Sequence, residues 1–191
     1  MTPEPRRHEA ELGVGGDGPL VILIGLMGAG KTGVGRELAR RLRVPFTDLD
    51  ERIEAQQGRS ISEIFAADGE QEFRRIEADA LAAALVDCPG VLSLGGGAPM
   101  HPVSQSLLRG RNVVLLEIAE DEAERRLSRS THRPLLQDPD PMGRWRELAA
   151  QRLPVYRDLA RWSQTGDRRP PTAVAREIHE LLRAARTEET A

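Results

Sequence analysis

A doubly wound α/β domain, in which a parallel sheet carries helices on both faces, is predicted by three features of this 191-residue chain. Unbroken apolar runs recur along it, segments of helical period separate them, and the first run leads straight into a glycine-rich loop ending in the only lysine, Lys31. Strands buried on both faces of a parallel sheet read as continuous hydrophobic stretches, and each needs a crossover helix to reach the next. Ligands of such domains bind beyond the carboxyl ends of the strands, so the residues after each run are the candidates for function.

Taken in order, residues 1–19 are rich in Gly, Pro and Glu, lack a hydrophobic period, and are expected to form a disordered tail. One domain is expected over residues 20–186, with 187–191 as a C-terminal tail. Strands are predicted at 20–24, 91–94 and 113–118, with a short extended stretch at 45–47. Helices are predicted at 32–43, from 51 to 57, at 70–86, 120–129, 142–153 and 172–186. The 70–86 helix carries Phe73, Ile76, Ala80 and Ala84 on one stripe. Before it, Ser60 and Glu63 have capping-box spacing ahead of Ile64 and Phe65, and Gly69 is placed to end that short helix.

Composition narrows the function classes. Formal net charge is -3, so no broad cationic field recruits nucleic acid or anionic lipid, and the expected partners are small molecules. The single cysteine, Cys88, cannot close an intrachain disulfide, which fits a reducing compartment. No apolar run reaches the roughly 20 residues needed to span a bilayer, and Glu4, Glu9 and Glu11 spoil the N-terminus as a signal peptide. A cytoplasmic location follows as the expectation. Of the 27 basic residues all but Lys31 are arginine. Such a skew lowers the significance of any one arginine and raises that of the position where a compact ammonium survives.

Lys31 falls inside Gly25-Leu26-Met27-Gly28-Ala29-Gly30-Lys31-Thr32, a GxxxxGK[ST] loop between strand and helix that also delivers Gly33 to the helix start. Its glycines let backbone N–H groups converge on phosphate oxygens, and the following helix adds its positive end. Lys31 is expected on the β- and γ-phosphates and Thr32 on magnesium. Guanine recognition through an NKxD element is excluded, because the one asparagine, Asn112, has no lysine near it. The 91–94 run ends in glycines rather than the acidic residue of a motor-type ATPase, and Glu117 lies within its strand. The acidic pair left is Asp48 and Asp50. At spacing two on an extended segment both side chains point the same way, one toward the metal and the other toward an acceptor hydroxyl. The competing assignment for Asp50 is a helix N-cap ahead of Glu51.

GLMGAGKTGVG, the DLD of Asp48 to Asp50, GRSISEIFAADGEQEFRRIE from Gly58, LSLGGGA from Leu92 and RPLL from Arg133 together resemble the shikimate kinase family, in order and spacing, from about 20 to 186. The resemblance implies a P-loop fold of the nucleoside monophosphate kinase-like type: a parallel five-stranded sheet, flanking helices, an acceptor region about 50–80 and a mobile lid about 128–140. It implies transfer of the γ-phosphoryl of ATP to the 3-hydroxyl of shikimate, with Mg²⁺, by a monomer. Carried over residue by residue, Asp50, Arg74, Gly95, Gly96, Gly97 and Arg152 correspond to shikimate contacts and Arg133 to the lid arginine. Arg126, Arg169 and Pro171 correspond to the adenine side, although Arg125 and Arg168 stand next to the two arginines and leave the register open. In this reading Lys31 and Arg133 stabilise charge, Asp48 holds a metal-bound water, and Asp50 orients the acceptor and takes its proton. Phe65 and Phe73 are either ring walls or core. The chain departs from the family pattern at Arg161 to Gly166, where a strand ending in Asp-Thr is usual. Two other readings fit part of the pattern: a kinase of another polyhydroxy acid such as gluconate, and a nucleotide-sensing module without catalysis.

Overall fold

The computed structural model describes residues 18–128 and 139–189. Arg133, most of the expected lid and nearly all of the N-terminal tail lie outside the described residues. The described chain is a five-stranded, all-parallel sheet in the order β2-β3-β1-β4-β5. Its strands are β1 (Pro19–Ile24), β2 (Phe46–Asp48), β3 (Gly90–Ser93), β4 (Val113–Glu117) and β5 (Trp162–Thr165). The three central strands are the unbroken apolar runs, and their side chains from Val21 to Ile24 and from Val113 to Leu116 are no more than 1% exposed. Only burial on both faces makes such runs stable, and that forces helices onto both sides.

Those helices are α1 (Lys31–Leu42), α2 (Leu49–Gln57), α3 (Ile61–Asp87), α4 (Pro102–Leu108), α5 (Glu120–Leu127), α6 (Pro141–Leu159) and α7 (Pro171–Glu189). A 3₁₀ turn, Ala98–Met100, joins the β3 loop to α4. The Ser60–Glu63 capping box forms in both directions. Gly69 breaks the helical run with φ 81° and ψ 171°, so α3 consists of two helical pieces meeting at the glycine, as its spacing predicts. Strand β5 exists despite the unusual Arg161 to Gly166 sequence, pairing Val114 with Trp162 and Glu117 with Thr165. It alternates half-buried and exposed side chains because it is an edge strand.

One helix end needs correction and one helix is new. The 142–153 helix continues past Pro154 to Leu159. Pro154 is exposed and lacks only its own N–H, while Tyr156 and Leu159 beyond it are 0% and 5% exposed, so burial outweighs the lost backbone bond. Helix α4 is an addition: its seven residues are too short for a legible period.

Candidate active site

The order of the sheet puts β1 between β3 and β4, so the loops after β1, β2 and β3 open on one end of the fold. After β1 the chain turns through Gly28 and Gly30, both at φ 88°, a left-handed conformation that a side chain would strain. Gly30 then caps α1, whose first residue is Lys31. The Lys31 ammonium donates to the carbonyls of Gly25 at 2.8 Å and Leu26 at 3.4 Å, at the mouth of the loop. Next to it the Thr32 hydroxyl donates to Asp48 Oδ2 at 3.3 Å. A cavity of about 320 Å³ lies over these groups, with Lys31, Thr32, Asp48, Asp50, Gly96 and Arg152 in its wall; Gly28, Gly30, Gly33 and Gly95 also line it.

Asp48 and Asp50 do share this cavity, but by a different route from a common strand face. Asp48 is the last residue of β2 and the N-cap of α2, its Oδ1 accepting from the Asp50 N–H at 3.1 Å. Asp50 is already in the first helical turn. The capping role therefore belongs to Asp48, and Asp50 does not cap. A strand-to-helix turn, rather than the two-residue strand period, brings both carboxylates to the cavity. Thr32 and Asp48 present a hydroxyl and a carboxylate oxygen side by side. Hard oxygen donors in that number suit magnesium, which keeps several waters and takes its remaining ligands from phosphates.

Beyond Asp50 the three glycines after β3 each lie beneath a charged side chain. A Cβ on Gly95 would fall 2.4 Å from Asp50 Oδ1, one on Gly96 2.9 Å from Arg152 Nη1, and one on Gly97 only 1.9 Å from Arg74 Nη1. Only glycine lets these groups pack so closely on the backbone. Arg74 and Gly97 are not in the wall of the main cavity; Arg74 packs over Gly97, the next residue along from Gly96, which is. Its guanidinium donates to Glu77 at 2.7 Å and stacks over Phe73 and Phe65, centroid distances 5.3 and 5.9 Å. The two rings pack on one another at 4.5 Å across the Gly69 break, with Phe73 buried and Phe65 half-buried. Both therefore serve as the packing support of Arg74. Glu77 is 2% exposed, and burial raises its pKa above the usual glutamate range against the pull of Arg74 and Arg152. Burial also lifts Asp50, helped by the charges of Asp48 and Glu77 and opposed by Lys31, from 3.8 to about 6. A carboxylate titrating there is suited to exchanging a proton near neutrality.

A second cavity, about 270 Å³, lies on the other side of the loop, with Ala29, Gly30, Arg126, Gly166, Arg169 and Pro171 in its wall. Of the neighbouring arginines, Arg126 and Arg169 line this cavity and Arg125 and Arg168 do not; Arg125 pairs with Glu122, as Arg126 also does, and Arg168 reaches Asp121 at 2.9 Å. Arg169 is itself held by Glu177 of α7.

Four further residues are tied to these cavities without having stood out in the sequence. Tyr156, fully buried, donates its hydroxyl to the Gly96 carbonyl, and Trp145 Nε1 donates to the Met27 carbonyl at 3.1 Å. Helix α6 thus fixes both the glycine loop and the phosphate loop. Glu77 and Glu122 are the others. Arg74 and Glu77 stand at i,i+3 on a helix, a spacing at which a pairing was readable; Tyr156 carried no such sign.

A parallel sheet of this order, a lysine-bearing phosphate loop after its central strand, and a carboxylate facing that lysine across one cavity define a P-loop kinase of the nucleoside monophosphate kinase-like type. The family model described as shikimate kinase matches residues 27–183. Shikimate kinase of Mycobacterium ulcerans is 51% identical over 164 residues, covering 86% of this chain and 89% of that protein. The Mycobacterium tuberculosis enzyme is 49% identical over 173 residues, covering 91% and 98%. Among solved structures, shikimate kinase from Acinetobacter baumannii in complex with shikimate superposes with a TM-score of 0.82 at 34% identity, covering 88% of this chain and 94% of that one. The chain belongs to the shikimate kinase family and is an ATP-dependent kinase.

Proposed function

We propose that the chain transfers the γ-phosphoryl group of ATP to the 3-hydroxyl of shikimate, a step in aromatic amino acid biosynthesis, and that it does so in the cavity between Lys31 and Arg152. The observation that carries the reading is the meeting of Lys31, Asp50 and Arg152 in one wall. Shikimate has one carboxylate and three ring hydroxyls. Its acid group calls for guanidinium forks, supplied by Arg74 and Arg152, and its hydroxyls for a carboxylate and backbone donors, supplied by Asp50 and the Gly95–Gly97 loop.

Asp50 accepts a hydrogen bond from the 3-hydroxyl and takes its proton as that oxygen bonds to the γ-phosphorus and the bond to the β,γ-bridging oxygen breaks, releasing ADP. Lys31 neutralises the charge spreading over the transferred group. Mg²⁺, when bound, offsets phosphate charge; Thr32 would ligate it directly and Asp48 through a water. Gly28, Ala29, Gly30 and Gly33 frame the phosphates, while Arg126, Arg169 and Pro171 enclose the adenine. Arg133, outside the described residues, is read as the arginine that closes over ATP and excludes water. One chain carries every one of these residues, and a monomer in the cytoplasm is the working unit this reading adopts. Among the described residues no helix is long and apolar enough to cross a membrane.

The test is a coupled assay of ADP release with shikimate, gluconate and nucleoside monophosphates side by side. Release that depends on shikimate alone is expected. ATP binding without such release would favour the sensing module, and a response to gluconate the other kinase. A finer check is Gly97→Ala. Its methyl displaces Arg74, so KM for shikimate should rise roughly tenfold with KM for ATP unchanged, the size expected from disturbing one charged hydrogen-bonding group. An unaltered shikimate KM would remove Arg74 from the carboxylate site.

A further inference from the structure

We propose that Glu122 is a positioning residue for nucleotide binding, holding Arg126 so that the face of its guanidinium, rather than its N–H edge, meets the base. The inference rests on reading the cavity beside Arg126 as the adenine site. Glu122 lies on α5 and does not line that cavity, so it acts only through its neighbour.

The geometry is a three-point clamp. Arg126 Nε donates to Glu122 Oε1 at 2.6 Å, Nη1 to the Gly28 carbonyl at 3.1 Å, and Nη2 to the Gly166 carbonyl at 2.5 Å. One partner is in its own helix, one in the phosphate loop, and one in the loop after β5. A planar group tied at Nε and both terminal nitrogens cannot swing or flip, and the surface it leaves for a ligand is its π face. Glu122 is the charged member of the three. It is 1% exposed, its second oxygen is taken by Arg125 Nε at 2.7 Å, and its Oε1 also receives Arg125 Nη2 at 2.6 Å. These two arginines hold its carboxyl down at about 2, so it stays ionised throughout the range in which an enzyme works. A buried carboxylate with both oxygens committed to consecutive arginines has a single stable arrangement, and that arrangement fixes Nε of Arg126. Without it, Arg126 keeps two neutral carbonyl partners and regains rotation about its stem.

The experiment is a double-mutant cycle of Glu122→Gln and Arg126→Ala in the full chain, read as steady-state KM for ATP, KM for shikimate and kcat. Glu122→Gln alone should raise KM for ATP about tenfold while kcat and KM for shikimate stay within twofold. In the Arg126→Ala background the same change should have no further effect on KM for ATP. Additive effects, or an unchanged KM for ATP in Glu122→Gln beside a raised one in Arg126→Ala, overturn the positioning role. A fall in kcat together with a rise in both KM values overturns it too, since that is the signature of general loosening. An unchanged KM for ATP in Arg126→Ala would instead refute the adenine reading itself. Should Glu122→Gln fail to fold, Glu122→Asp keeps the charge but shortens the reach, and the same cycle is read with it.

Discussion

Replacing Lys31 by Met is expected to lower kcat/KM for ATP about a thousandfold, the scale on which a single cationic or oxyanion-stabilising group acts in phosphoryl and acyl transfer. The side chain starts from the first turn of α1, where the loop carbonyls of Gly25 and Leu26 hold its ammonium over the cavity it shares with Asp50. Met keeps an unbranched stem one atom shorter and removes the charge, so folding should survive. The more searching variant is Lys31→Arg. It keeps the charge but replaces a compact ammonium, held by the Gly25 and Leu26 carbonyls, by a bulkier planar fork, and a loss of about a hundredfold is expected. In a chain whose other 26 cations are arginine, a Lys31→Arg protein with near-wild-type kcat/KM would show that lysine survived here for no chemical reason.

That lysine illustrates what could be read from sequence and why. The phosphate loop, the Ser60–Glu63 box and the Gly69 break are local: each depends on residues within a turn or two, and the spacing alone encodes them. The apolar strands were legible because burial on both faces removes alternation. What stayed hidden depends on contacts across the chain. The bond from Trp145 to Met27 spans 118 positions, that from Tyr156 to Gly96 spans 60, and nothing near either end announces them. Glu122 sits in a run of acids at the start of α5 that reads as a solvated face, although its side chain is 1% exposed. The two-residue strand period does not describe Asp50, because β2 is three residues long and ends at Asp48, leaving Asp50 in the first turn of α2.

The glycine run after β3 shows how these local and distant features combine. Three residues without side chains let Asp50, Arg152 and Arg74, from three different helices, close on one stretch of backbone, and Tyr156 then ties that stretch to α6. The two arginines are held near buried Glu77, and that carboxylate together with Asp48 and the loss of water raises Asp50. The site is thus assembled at a cost to the acid at its centre, which separates the demands of activity from those of stability.

Asp50→Asn makes that separation measurable, because turnover and stability should move in opposite directions. Turnover should fall about a thousandfold, within the usual worth of a positioned general base, while the dissociation constant for ATP changes little. Stability should rise. In the unfolded chain the carboxyl ionises near 3.8, in the folded protein at about 6, so below the first value it is protonated in both states and carries no penalty. Between them the unfolded chain has lost the proton and the folded one keeps it, and folding becomes less favourable with each unit of pH. Above about 6 the folded protein carries the buried charge at a full cost of at most about 3 kcal/mol, the 2.2-unit difference at about 1.4 kcal/mol per unit. Asparagine has the same shape and no charge to bury. Urea unfolding with EDTA and without nucleotide should therefore find the variant more stable than wild type at pH 7.5, by up to that amount, and equal to it near pH 3. A gain that persists at pH 3 would trace to packing rather than charge, and turnover within tenfold of wild type would leave the acceptor proton to some other group.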